Sequence, residues 1–180
     1  PDIGEAQIEL LEKLSNTSCV SGDEGAVRKI VIEEIEPFVD KIEVDSLGNV
    51  LATCEGTAEN RLRVMLAAHM DEIGLLIVSD DKDGIFRFDI VGGIDSRQLP
   101  GKPVWVGRDK IPGVIGAKPI HLTTSSERKN TIKVNSLRVD VGPEAAKKVN
   151  VGDGVTFATQ FNYNGTSFLA KALDDRLGVA

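Results

Sequence analysis

The sequence predicts an α/β domain interrupted by a β-rich module, and three observations carry that expectation. Two amphipathic helical segments open the chain, and an apolar run at 62–68 ends in His-x-Asp at His69 and Asp71. After Gly74 the texture changes to strands and turns through roughly Tyr163, before KALDDRLG at Lys171–Gly178 restores an apolar-then-polar pattern. Such a shift marks a domain boundary. The expected organisation is a first α/β part at 1–72, an inserted module at 73–164, and the start of a second α/β part at 165–180.

Each element has a local reason. Ile8, Leu10, Leu11 and Leu14 share one helical face, so the first helix ends near Asn16. Ser21 with Glu24 three positions on reads as a capping box, after which Val27, Ile30, Val31 and Ile35 recur at helical spacing until Pro37. Lys41–Asp45 and Val50–Cys54 flank the turn residues Ser46, Leu47, Gly48 and Asn49, a hairpin signature. Leu62–Ala68 is an apolar run apart from Arg63 and fits a strand covered on both faces. In the module, Leu75–Val78 and Ile85–Val91 flank an Asp-rich turn ending in Gly84, and closely spaced short strands read as a small barrel or sandwich. One helix signal stands there, at Pro143–Val149.

Composition bounds the function. A hydrophobic fraction of 41% supports a real core, and a formal charge of −7 argues against nucleic-acid and anionic-membrane partners, which require clustered Lys and Arg. Cys19 and Cys54 are the two cysteines and form no disulfide ladder or zinc knuckle. The opening PDIGEAQIELLEKL lacks a basic signal-peptide region, and no run of about 18 apolar residues occurs, so a cytoplasmic protein is expected.

His69 is one of two histidines and stands where the apolar run stops. Neutral imidazole is the commonest protein ligand for zinc, and a ligating histidine usually donates its other N–H to a carboxylate. Asp71, two positions on in an extended backbone, points to the same side and suits that orienting role. HxD alone is a short motif, and by itself it is more often a hydrogen-bonded structural histidine with a strand-end carboxylate. Asp174, about a hundred residues later, could bridge two cations while Asp175 or Arg176 orients it, although Asp-Asp also reads as a helix N-cap. Glu72 either supports the site from behind or caps the strand. His121 suits a structural or interface hydrogen bond, Cys54 a small buried hydrophobe, and Gly92-Gly93 a turn.

Taken together and in order, SGDE at 21–24, DSLGNV at 45–50, AAHMDEIG at 67–74, GGIDSRQLPGKPV at 92–104, GVIGAKPIHL at 113–122 and KALDDRLG at 171–178 resemble the N-terminal half of the TET or deblocking aminopeptidase family. Proteins of that family have also carried the endoglucanase M label. The resemblance implies a cytosolic exopeptidase with two divalent metal ions, zinc or cobalt with manganese an alternative, acting on short peptides. It implies that His69 ligates one metal, Asp71 orients it, and Asp174 bridges both, through a cis peptide to Asp175. It further implies that the inserted module is a PDZ-like dimerisation domain, whose dimers build dodecamers. In the family the general base and the remaining ligands follow the position matching residue 180, so these 180 residues alone are not expected to catalyse. Two alternatives stand beside this reading: a non-catalytic assembly module, or a dinuclear hydrolase of another amide or a glycan. Glycosidases usually need two carboxylates flanking the bond, which disfavours the glycan.

Overall fold

The computed structural model describes residues 4–60 and 62–180, so the first three residues of the opening segment lie outside the described residues. The chain divides into two compact units. One runs to Asp71 and resumes at Phe161–Ala180; the other is Glu72–Gln160.

In the first unit, α1 (Glu5–Asn16) and α2 (Gly25–Ile35) form where the apolar spacing places them. Leu14, Cys19, Val27 and Ile30 make a small core, with Leu10, Val31, Met70 and Val179 packed against it. Pro37 sits in a short 3-10 turn, Glu36–Phe38, that ends α2. The hairpin of β1 (Lys41–Val44) and β2 (Val50–Thr53) pairs Val44 with Val50, and Asp45 closes its turn by accepting the N–H groups of Leu47 and Asn49 at 2.9 Å.

Two expectations of secondary structure fail in this unit. Ser21 does not cap α2: the helix begins after Glu24 with no side-chain cap, and the Ser21 hydroxyl donates to Asp71 instead. The Leu62–Ala68 run forms no strand. Leu62, Val64, Met65 and Leu66 are 91%, 81%, 88% and 93% exposed. A central strand exists only by pairing, and among the described residues no strand pairs with this run.

The second unit is built around a closed barrel. Its strands are β3 (Gly74–Asp80), β4 (Ile85–Val91), β5 (Pro103–Val106), β6 (Ile111–Gly116), β7 (Arg138–Asp140) and β8 (Gly154–Phe157), in the order β3-β4-β7-β6-β5-β8 and closing on β3. Alternation along each strand sends Leu75, Ile77, Phe86, Phe88, Val104, Val106, Ile115, Val139 and Val155 inward. A register shift between Ile77 and Ser79 bends β3 against β4, as a bulge does. The β3–β4 turn needs Gly84: its φ is +85°, and a Cβ there would stand 2.3 Å from the carbonyl carbon of Gly142.

A short helix, α3 (Ser125–Lys129), carries a full capping box between Thr124 and Glu127. The helix expected at Pro143–Val149 is only a 3-10 turn, Ala146–Lys148. The chain must deliver Val149, 7% exposed, into the barrel core and start β8 five residues later, which leaves room for a single turn.

Back in the first unit, β9 (Asn162–Tyr163) pairs with β10 (Phe168–Leu169), and α4 (Leu173–Val179) follows. No helix among the described residues is long and apolar enough to cross a membrane.

Candidate metal centre

The centre is assembled from three short pieces of the first unit. The 68–71 segment is anchored through Met70, whose carbonyl accepts from Arg176 Nε at 2.9 Å and from Cys19 Sγ at 3.5 Å. Arg176 is fully buried, and its Nη1 also donates to the carbonyls of Leu14 and Thr17, the latter at 3.4 Å. Those carbonyls lie at the C-terminal end of α1, where the helix dipole favours a cation. One guanidinium thus ties α1 to the residue between His69 and Asp71.

With that backbone fixed, the side chains of His69, Asp71 and Asp174 meet. His69 Nδ1 donates to Asp71 Oδ1 at 2.8 Å, which commits that nitrogen and leaves Nε2 facing Asp174 Oδ1 at 3.2 Å. Asp71 Oδ2 accepts from the Ser21 hydroxyl, so both of its oxygens are engaged. Asp174 stands outside regular helix, with φ −93° and ψ 109° at the head of α4, and its side chain is 98% exposed. The Asp174–Asp175 peptide is cis.

The electrostatics follow from these contacts. Partial burial pushes the His69 imidazole down, but hydrogen bonds to Asp71 and Asp174, with their charges, outweigh it and raise the pKa above the ordinary 6.5. The Ser21 hydroxyl, more than the imidazole, holds the Asp71 carboxyl below the usual carboxylate range despite the opposing effect of burial. The carboxylates favour positive charge beside this imidazole.

The donor set suits one edge of a cation's shell. Bonds from a divalent metal to His nitrogen and carboxylate oxygen run about 2.0–2.2 Å, so two donors on one tetrahedral ion lie a little over 3 Å apart. His69 Nε2 and Asp174 Oδ1 have that separation. Among the described residues, no group of three or more His, Cys, Asp and Glu side chains could hold a metal ion.

Asp175 is half-buried and its carboxylate lies over Gly178, where an added Cβ would come within 2.4 Å of Oδ1. Glu72 is 4% exposed and belongs to the barrel unit. Arg176 donates to the main-chain carbonyls of Met70, Leu14 and Thr17. Cys54, expected as a buried hydrophobe, is exposed. Sequence reasoning missed Ser21 as the partner of Asp71, because a serine ahead of a helix carries the same signal whether its hydroxyl caps the helix or not.

In the first unit a His-Asp pair thus meets an Asp more than a hundred residues later, and a closed barrel is built from the intervening sequence. Residues 48–180 match the family described as M42 glutamyl aminopeptidase, and the chain belongs to that family. It is 32% identical to a lysyl aminopeptidase of Pyrococcus furiosus over 179 residues, covering 94% of this chain and 51% of that protein. It is similar to the crystal structure of a TET aminopeptidase from a marine-sediment Thaumarchaeota archaeon, with TM-score 0.88, 33% identity, and coverage of 97% of this chain and 51% of that one. It is also similar to the TET1 peptidase of Pyrococcus horikoshii, described as assembling into a tetrahedron or a large octahedral shell, with TM-score 0.80, 38% identity, and coverage of 96% and 53%. The chain spans about half the length of the relatives it matches.

Proposed function

We propose that this chain is the N-terminal half of an aminopeptidase that removes N-terminal residues from short peptides, with His69 holding one divalent cation of a two-metal centre and Asp174 shared between the two. The observation that carries the reading is the 3.2 Å approach of His69 Nε2 to Asp174 Oδ1. Bound divalent cations supply Lewis acidity and lower the pKa of the attacking water. In this chain, Asp71 holds the Nδ1–H tautomer of His69 and so presents the Nε2 lone pair outward. Asp174 offers Oδ1 on the His69 side and, being exposed, a second oxygen for a neighbouring ion. The general base and the remaining ligands come from the half of the protein beyond residue 180.

The uncovered Leu62–Leu66 run supports this division, because such a run suits a strand paired by the rest of the protein. The barrel unit serves as the PDZ-like dimerisation module, and dimers assemble further into a closed shell. Zinc, cobalt and manganese all suit His and carboxylate donors.

The test is made on the whole protein, with amino-acid amides as substrates before and after chelation. Chelator treatment abolishes release, added zinc or cobalt restores it, and His69→Ala or Asp174→Ala lowers it by more than about 100-fold. Undiminished release by a chelator-treated His69→Ala variant refutes the reading.

A further inference from the structure

We propose that Ser21 is a positioning residue for the metal centre, acting through Asp71; this rests on the two-metal reading above. The argument begins with a hydroxyl that the sequence assigns to another task. Ser21 precedes a helix and has Glu24 three positions later, yet α2 has no side-chain cap. Glu24 turns back to accept the Gly22 N–H at 2.5 Å. The Ser21 hydroxyl is therefore free of the helix and donates to Asp71 Oδ2.

The local backbone aims it there. Asp23 N–H donates to Val20 carbonyl at 3.0 Å, and Gly22 has φ +90°, the pattern of a type II turn with Ser21 at its second position. Val20, 5% exposed, and Cys19, 2% exposed and hydrogen-bonded to Met70 carbonyl, anchor the strand of chain leading into that turn. Residues 19–21 thus run beside 70–71, and the hydroxyl arrives at the carboxylate from a fixed base.

The consequence lies in rotation. A carboxylate bonded through one oxygen can swing about its terminal torsion, which is broad. Asp71 Oδ1 accepts from His69 Nδ1 at 2.8 Å, and with Oδ2 held by Ser21 the plane of the carboxylate is set, and the imidazole with it. The line Ser21, Asp71, His69, Asp174 passes this constraint to the metal-facing nitrogen, as outer partners of ligating histidines commonly do.

The experiment uses the whole protein, stripped of metal and titrated with cobalt against a chromophoric competitor, with the apoprotein's unfolding midpoint measured alongside. Ser21→Ala weakens cobalt affinity by about tenfold and changes the cobalt d–d spectrum while the midpoint holds. Ser21→Thr, which keeps the hydroxyl, stays within about twofold of the parent. Parent-like affinity in Ser21→Ala, or equal weakening in Ser21→Thr, overturns the proposal. His69→Ala is titrated in parallel: if it loses cobalt while Ser21→Ala does not, only the role of Ser21 falls. If His69→Ala also binds as the parent does, the two-metal reading falls and takes this proposal with it.

Discussion

His69 Nε2 lies 3.2 Å from Asp174 Oδ1, although 105 positions separate them in the chain. The approach is made possible by Arg176, two residues beyond Asp174, which reaches back to the carbonyl of Met70, next to His69. One buried cation therefore brings the two halves of the centre together.

Arg176→Met is expected to destabilise the protein by about 2–4 kcal/mol, because it strips a charged donor from Met70, Leu14 and Thr17 carbonyls in a buried place. Urea unfolding measures it. A loss of less than about 0.5 kcal/mol, the ordinary range for a surface change, would contradict the clamp.

Asp71→Asn replaces the acceptor of the His69 Nδ1–H with an amide able to present N–H in its place. Metal affinity and peptide release should both fall about 10- to 100-fold in the whole protein, while the fold is kept. Chelator competition alongside circular dichroism reads the two effects separately, and unchanged affinity would count against an orienting role.

Gly84→Ala meets two obstacles at once, a φ of +85° and the Gly142 backbone 2.3 Å from the new Cβ. The barrel unit should lose about 2 kcal/mol or more, read as a lower thermal midpoint. A variant as stable as its parent would show that the turn can relax.

The Glu127 carboxyl is held down to about 2, from an ordinary 4.5, chiefly by the Thr124 main-chain N–H and then by the Lys118 ammonium and the Thr124 contact. A depressed carboxyl contributes stability that is fully present above 4.5 and is lost as pH falls through about 2, so the α3 cap should loosen only in that acid window. An NMR titration of the Glu127 carboxyl checks it, with a midpoint near the ordinary value as the contrary result.

Leu66→Asp tests the proposed covering of the 62–66 run. With the run paired in the whole protein, a buried, unpaired carboxylate costs about 3 kcal/mol or more. If the run stays open, as its 93% exposure here would allow, the change stays within about 0.5 kcal/mol.

What the sequence made legible was what neighbouring residues decide. The faces of α1 and α2, the Asp45–Asn49 turn and the Asp-rich turn before Gly84 depend on residues a few positions apart, and the structure has them. The Leu62–Ala68 expectation failed because strand formation depends on partners that no local pattern contains. At Pro143–Val149, helix-forming residues were overruled by the need to place Val149 in the barrel core. In the centre, the spacing of His69 and Asp71 pairs them directly, whereas Asp174 stands in an Asp-Asp pair that reads equally well as a helix N-cap, and only the resemblance chooses between the two meanings. Ser21 carried the wrong meaning altogether, since one hydroxyl has two possible employers.

The barrel closes where β3 meets β8, with Leu75 opposite Val155 and Leu76 opposite Gly154. The places where the polypeptide joins and leaves this ring are consequently side by side, a few ångströms apart across one ladder. A cassette whose ends adjoin can be spliced into a surface turn, or cut from it, at little loop-closure cost to the host. Residues 73–159 could accordingly be exchanged for a short Gly-Ser bridge in one genetic step, and by the same geometry the ring could be grafted onto an unrelated scaffold.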